Sequence, residues 1–161
     1  MSVYLISDTH FNHDKIREYG ERPFASVYEM NEAMAENWNK TVLPSDTVYH
    51  LGDVAFFGKG YRLPVLNGHK ILILGNHDSG KNPQLLSVFE DILAYKKFPK
   101  LGLLLTHVPV HPTDLYGFDR SYINVHGHIH QAPSPDDRYR NVSVERINFT
   151  PIPIEEVFNL T

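Results

Sequence analysis

The sequence predicts an α/β fold, because apolar runs of strand length alternate with helical segments along the chain. Two further observations support this class. The run Lys70–Leu74 is apolar after its first residue, as is typical of a strand buried on both faces. Five apolar runs end directly in Asp, Asn or His. Ligands of such sheets bind beyond the carboxyl ends of the strands, so these polar residues are expected to converge on one site.

The spacing of apolar residues and the residues that typically begin or end helices predict the individual elements. A capping box at Ser26 and Glu29 begins the longest predicted helix, whose apolar residues recur at helical spacing. Asn82, followed by a proline, begins another that ends near Glu90. Shorter helical pieces are expected at 14–19 and 64–66, and a loop at 108–121. The predicted strands are Val3–Ile6, Thr47–Leu51, Lys70–Leu74, Ile92–Phe98, Leu101–Leu105, Tyr122–Val125 and Tyr139–Ile147.

Length and composition narrow the class of protein. A chain of 161 residues without repeats or linkers is expected to form a single domain over residues 1–161. The absence of cysteine excludes disulfides and thiolate metal sites. No apolar run reaches the ~18 residues of a membrane span, and no basic segment precedes the first strand, so we expect a cytoplasmic protein without a membrane partner. The net charge of −4 does not indicate a nucleic-acid partner.

The polar residues at the strand ends form a set of metal ligands. The set contains nitrogen and oxygen donors without sulfur, which suits Mn²⁺, Fe, Zn²⁺ or Ni²⁺. Seven ligands exceed the need of one ion, and a carboxylate can bridge two, so the set favours two divalent cations. The candidate ligands are Asp8, His10, Asp53, Asn76, His107, His128 and His130.

These residues occur in five short motifs whose order is informative. The motifs are Asp8-Thr9-His10, Gly52-Asp53, Gly75-Asn76-His77-Asp78, Thr106-His107 and Gly127-His128-Ile129-His130. The set resembles the signature of the calcineurin-like metallophosphoesterases, which reads DxH, GD, GNH(D/E), a lone H and GHxH. It covers about three quarters of the chain. The flanking segments Arg22-Pro23-Phe24 and Asn141-Val142-Ser143-Val144-Glu145 are similar to those of short bacterial and phage members.

The resemblance implies a fold of two packed mixed β-sheets flanked by helices, with the site at the strand ends. It assigns one ion to Asp8, His10, Asp53 and His130, and the other to Asp53, Asn76, His107 and His128, with manganese as the expected metal. A hydroxide between the ions attacks the phosphate ester. His77 faces the leaving group as a catalytic residue, and Asp78 is expected to orient it.

The choice of substrate is less determined by the sequence. The second motif departs from the GDxxDRG of the protein phosphatases, and the chain leaves little room for a cap over the site. We therefore expect an open site and a phosphodiester in preference to a monoester. Arg22 and His13 are the candidate substrate contacts, with Arg62, Arg120 and His111 as weaker ones.

Two other functions stay open at this point. One is a nuclease, for which Lys96, Lys97 and Lys100, or Arg138 and Arg140, would have to form a basic track. The other is a non-catalytic interaction module of the same fold, although every ligand position is filled. The remaining histidines, including His50, His69 and His126, are expected to be structural or exposed.

Overall fold

A computed structural model of the protein describes residues 1–117 and 121–160. Its α-helices are α1 (Ile16–Tyr19), α2 (Val27–Thr41) and α3 (Pro83–Val88). Its strands are β1 (Val3–Ile6), β2 (Thr47–His50), β3 (His69–Ile73), β4 (Asp91–Leu93), β5 (Lys96–Phe98), β6 (Leu103–Leu105), β7 (Ile123–His126), β8 (Tyr139–Asn141) and β9 (Ile152–Pro153). Short 3₁₀ helices cover Pro112–Leu115, Val144–Arg146 and Ile154–Asn159.

The strands form two mixed sheets, as predicted. The first sheet has the order β4-β3-β2-β1-β9, and only β9 runs antiparallel to its neighbour. The second has the order β5-β6-β7-β8, and only β5 is antiparallel. A shared apolar core joins them, with Leu5 and Val48 from the first sheet and Leu105 and Val125 from the second all fully buried. The prediction of two packed sheets flanked by helices is therefore confirmed.

Helix α2 covers this core with the apolar stripe that the sequence indicates. Met30, Met34 and Trp38 are buried at helical spacing. The hydroxyl of Ser26 accepts the backbone N–H of Glu29 at 3.1 Å, as expected for an N-cap. The Glu29 carboxylate accepts the backbone N–H of Ala25 at 2.7 Å. In an ideal capping box it would accept the N–H of the N-cap residue itself, which is Ser26.

The carboxyl ends of the two sheets meet at one edge of the molecule. The backbone N–H of Ser7, just after β1, donates to the carbonyl of Val142, just after β8, at 3.0 Å. The carbonyl of Ser7 in turn accepts the N–H of Val144. These bonds connect one sheet to the other, and the parallel strands within each sheet end side by side, so the loops after β1, β2, β3, β6 and β7 lie at this edge. This edge positions the candidate site.

Several predicted elements differ from the structure. Residues 64–66 are not helical, and α3 ends two residues before Glu90. The segment Ile92–Phe98 divides into β4 and β5, which belong to different sheets. The last predicted strand stops at Asn141, because the chain turns into a 3₁₀ helix there. Strand β9 was not predicted. Among the described residues, no helix is both long and apolar enough to cross a membrane.

Candidate metal centre

The loops that hold the predicted ligands share an uncommon backbone conformation. Five of the seven ligands have left-handed φ angles between 46° and 70° although none is a glycine. Such a conformation costs about 1–3 kcal/mol per residue and persists only where the surrounding structure enforces it, most often at functional sites. The five residues are Asp8, His10, Asp53, His128 and His130.

Two clusters of ligand atoms form at this edge. In the first, Asp8, His10 and His130 each offer one atom within 4.8 Å of the others. In the second, Asp53, His107 and His128 do the same. The amide oxygen of Asn76 joins the second cluster, since it lies 2.9 Å from Nε2 of His107 and 2.9 Å from Nδ1 of His128. The structure therefore brings all seven predicted ligands together.

Asp53 lies between the clusters. Its Oδ2 atom is 3.6 Å from Nε2 of His10 in the first cluster and 3.5 Å from Nε2 of His107 in the second. Its other oxygen, Oδ1, accepts the backbone N–H of His77 at 2.9 Å. One carboxylate oxygen is thus fixed by the backbone, while the other faces both clusters, as a bridging ligand requires.

Asp8 is held in the same manner. Its Oδ2 accepts the hydroxyl of Ser143 and the backbone N–H of His128, both at 2.9 Å. Its Oδ1 is buried and has no hydrogen-bond partner among the described residues, and the same is true of Nε2 of His10. Two buried ligand atoms without a partner, both facing one cluster, fit a cation, because an unpaired buried polar atom is otherwise costly.

The pKa values of two ligands, His10 and Asp53, also fit a cation. Burial lowers the pKa of His10 to about 3, so that its ring is neutral and can donate a lone pair. Burial opposes the ionisation of Asp53, but hydrogen bonding to His107, the charge on that ring and the N–H of His77 together lower its pKa to about 2. Burial raises the pKa of Asp8 and outweighs the opposing charges of His107 and His130.

Backbone and side-chain partners orient the imidazoles. Nδ1 of His107 lies 2.7 Å from the carbonyl oxygen of Leu51, which can only accept, so this nitrogen is the donor and Nε2 faces the cluster. Nδ1 of His130 lies 3.0 Å from Oε1 of Glu145, which leaves Nε2 for the first cluster. Glu145 was not predicted as a site residue, although it stands two residues after Ser143 in the segment that follows β8.

Arg22 occupies the inner side of the site, in contrast to its predicted contact with substrate. Its guanidinium donates to Glu145, to the backbone carbonyls of Asp8 and Thr9, and to the sulfur of Met30. The side chain has no exposed surface, so all its donors are directed inward. This arginine stabilises the left-handed loop after β1 and is not available to a phosphate.

In the predicted motif Gly75-Asn76-His77-Asp78, the side chains of His77 and Asp78 have different surroundings. The ring of His77 makes no hydrogen bond to any described residue, and its centroid lies 5.8 Å from that of His10. The carboxylate of Asp78 accepts the backbone N–H groups of Asp53, Val54 and Gly75 at 2.8, 3.0 and 2.9 Å. Asp78 therefore fixes the loop that holds Asp53, and the expectation that it orients the His77 ring is corrected.

Close backbone approach explains two of the motif glycines. A Cβ atom at Gly127 would overlap Oγ of Ser7 and Oδ2 of Asp8. A Cβ atom at Gly75 would overlap the backbone nitrogen and Oδ1 of Asp53. Any side chain at these positions would occupy the space around the two aspartates.

The remaining candidate residues are placed as follows. The His13 ring stands 5.7 Å from that of His10 and lines the same cleft as His77. His50 and His126 are buried, as expected, and His69 is exposed. His111 caps the 3₁₀ helix Pro112–Leu115. Arg62 is exposed, and Arg120 lies outside the described residues.

Comparisons with known proteins agree with this geometry. A family model described as calcineurin-like phosphoesterase matches residues 1–157. The chain is 34% identical over 170 aligned positions to an uncharacterised protein of Methanocaldococcus jannaschii, covering 98% of this chain and 90% of the relative. It is 30% identical to the Gene 66 protein of Mycobacterium phage D29 over 80% of this chain and 78% of that protein. A crystal structure of a protein of unknown function from Aquifex aeolicus superposes with a TM-score of 0.79 at 27% identity over 98% of both chains.

The fold and the paired ligand clusters define a metal-dependent phosphoesterase site. The chain belongs to the calcineurin-like phosphoesterase family.

Proposed function

We propose that this protein is a dinuclear, metal-dependent phosphodiesterase. The position of Asp53 Oδ2 between the two clusters is the observation that supports the proposal most directly. Two divalent cations bound there supply a nucleophile from water at neutral pH and neutralise charge on the phosphoryl oxygens. Asp8, His10 and His130 would hold one cation, and Asn76, His107 and His128 would hold the other, with Asp53 shared. Manganese is the proposed metal, with Fe, Zn²⁺ and Ni²⁺ as the alternatives that suit ligands of nitrogen and oxygen alone.

His77 acts on the leaving group. Its ring has no hydrogen-bond partner among the described residues, while its backbone N–H is tied to Asp53, so the ring is held near the metal ligands with both nitrogens free. A donor at this position stabilises the departing alkoxide by transferring a proton to it. His13, on the wall of the same cleft, is the proposed second contact to the substrate.

Two clefts support a diester as the substrate. The His77 cleft, of about 450 Å³, is lined by His10, His13 and His77. A second cleft, of about 600 Å³, is lined by Asn76 and His107 together with Tyr95, and we call it the Tyr95 cleft. Each cleft thus borders the ligands of a different cluster. A phosphodiester carries two substituents on its phosphorus atom, and the two clefts can bind one substituent each.

The basic residues give little support to a nuclease. Lys96 and Lys97 alternate on strand β5, so they point to opposite faces, and each ammonium group lies over an aromatic ring. Arg138 pairs with Asp136 at 2.6 Å. Arg140 donates to the backbone carbonyls of Asp137 and Tyr139. The complete ligand set also argues against a non-catalytic module.

A metal-reconstituted activity screen tests the proposal. We expect the manganese-loaded protein to hydrolyse methyl 4-nitrophenyl phosphate faster than the monoester 4-nitrophenyl phosphate or inorganic pyrophosphate. The Asp53→Ala variant is the control for contaminating activity, and it should be inactive. Activity on monoesters or pyrophosphate alone would contradict the preference for a diester, and no activity on any of the three would contradict the enzymatic function.

A further inference from the structure

The Tyr95 cleft is apolar along most of its wall. Leu74, Tyr95 and Val108 line it and expose 36%, 58% and 42% of their surface. Leu104, which is buried, also lines the cleft. Large apolar side chains that are exposed together on a soluble protein mark a binding site more often than an ordinary surface, because leaving them in water costs free energy.

The polar groups of this cleft are few and mostly engaged. The hydroxyl of Thr106 donates to the carbonyl of Val108 at 2.6 Å. Asn76 and His107 face each other within the second cluster. Among the described residues, the wall contains one cationic side chain, Lys97, and one anionic side chain, Asp114, so that these two balance. The described part of the wall therefore has no net charge that would favour a charged occupant over a neutral one.

The cleft is continuous with the metal centre, since Gly75, Asn76 and His107 belong to its wall. A substituent of a phosphoryl group bound at the site can therefore extend into this cleft. His77 lines the other cleft, so the leaving group is directed there and the Tyr95 cleft receives the substituent that stays on phosphorus.

We propose that the Tyr95 cleft selects diesters whose retained substituent is an uncharged aromatic group, with Tyr95 and Val108 as the residues that determine this specificity. The inference rests on the proposed function. The ring of Tyr95 provides a surface against which an aromatic substituent packs, and the aliphatic side chains enclose its edge.

The experiment compares phenyl 4-nitrophenyl phosphate with methyl 4-nitrophenyl phosphate, which share one leaving group. For the manganese-loaded protein, kcat/KM should be about 10- to 100-fold higher for the phenyl ester, the factor expected for moving a ring of this size out of water. In Tyr95→Ala the ratio of the two kcat/KM values should fall about 3- to 10-fold relative to the wild type. The intrinsic reactivity of each ester is the same whichever protein hydrolyses it. A change in the ratio between wild type and variant therefore reports a change in the cleft.

A matched control is Tyr28→Ala. Tyr28 is a tyrosine on α2 that is 72% exposed and lines neither cleft, so both rates should be unchanged. Val108→Ser is the second test variant and should lower the ratio in the same direction as Tyr95→Ala. Calorimetry gives a readout without turnover, with methyl esters in which the group under test is bound to phosphorus through carbon and the leaving group is the poor methoxide. Methyl phenylphosphonate should bind the loaded protein more tightly than methyl methylphosphonate, and Tyr95→Ala should reduce the difference.

The outcomes separate the two proposals. Equal rates for both esters, or a phenyl preference that survives in Tyr95→Ala and Val108→Ser, would overturn the specificity while leaving the diesterase intact. Hydrolysis of neither ester by protein that contains its metal would overturn the proposed function itself.

Discussion

Arg22 and Glu145 form a buried ion pair directly behind the metal ligands, with Nη2 of Arg22 2.7 Å from Oε1 of Glu145. Both partners also hold parts of the first cluster. Glu145 fixes the ring of His130, and Arg22 fixes the carbonyls of Asp8 and Thr9. The pair therefore links the first and last predicted motifs, which are more than a hundred residues apart.

We predict that Arg22→Ala lowers the free energy of unfolding by about 3–5 kcal/mol, because it removes the guanidinium partner of the buried Glu145 carboxylate. It should also weaken manganese binding, since the loop after β1 loses its support. The matched control is Arg17→Ala, which removes a more exposed pair with Asp14 and should have a much smaller effect on both properties. Urea unfolding and a manganese titration measure them. Unchanged manganese affinity in folded Arg22→Ala would show that the arginine does not position the ligands.

The His77→Ala variant separates chemistry from metal binding. We expect its metal content to be normal and its turnover to fall by roughly 10²–10⁴-fold, as for a lost general acid. The loss should be smaller for methyl 4-nitrophenyl phosphate than for methyl phenyl phosphate, because nitrophenolate departs without a proton. Asn76→Ala should instead lose metal and be partly rescued by excess manganese.

Metal analysis beside rates on the two esters distinguishes the roles of His77. A His77→Ala protein without metal would identify the residue as a ligand. An equal rate loss on both esters would mean that His77 binds the phosphate and does not assist the leaving group.

Asp78→Ala tests the role that the structure gives to this carboxylate. Hydrogen bonds to a charged group contribute about 1.5–3 kcal/mol each, and Asp78 accepts three of them, so the variant should lose several kcal/mol of unfolding free energy. Asp136→Ala, which removes a surface carboxylate paired with Arg138, should change stability little. A stable Asp78→Ala protein with a defect confined to turnover would instead support an orienting contact with His77.

Gly127→Ala should disturb the site through crowding alone. The new methyl group would overlap Ser7 and Asp8, so we expect a loss of about 1–3 kcal/mol in stability and weaker metal binding. Gly80→Ala is the control, because the nearest atom to its Cβ, on Leu74, is 4.0 Å away. Thermal unfolding with and without manganese measures both variants, and equal behaviour of the two would contradict the close approach.

The sequence predicted the convergence of the seven candidate ligands better than the elements around them, for physical reasons. A ligand at the end of a strand is visible as a polar residue that interrupts an apolar run, and this signal located Asp8, Asp53 and Asn76. Strand β9 has two residues, one of them a proline, and is too short to produce an alternating pattern. The change of sheet within Ile92–Phe98 falls between two three-residue strands that no glycine or proline separates, so the sequence carries no turn signal there.

The role of Arg22 could not be read from the sequence. An arginine beside a proline and a phenylalanine has the same appearance whether it faces a substrate or a buried carboxylate. Its partner, Glu145, is 123 residues away, and only the packing of the two sheets brings them together. The role of Asp78 could not be read from the sequence either. It follows His77 directly in the chain, but its carboxylate accepts hydrogen bonds from the backbone N–H groups of Asp53 and Val54 in another loop.

The central claim is that Asp53 joins two metal ions, and anomalous scattering from crystals grown with manganese tests it most directly. We predict two fully occupied peaks about 3.5–4 Å apart, the spacing of two-metal sites. One should contact Asp8, His10 and His130, the other Asn76, His107 and His128, and both should contact Asp53. A single occupied peak, or two ions that do not share Asp53, would contradict the account.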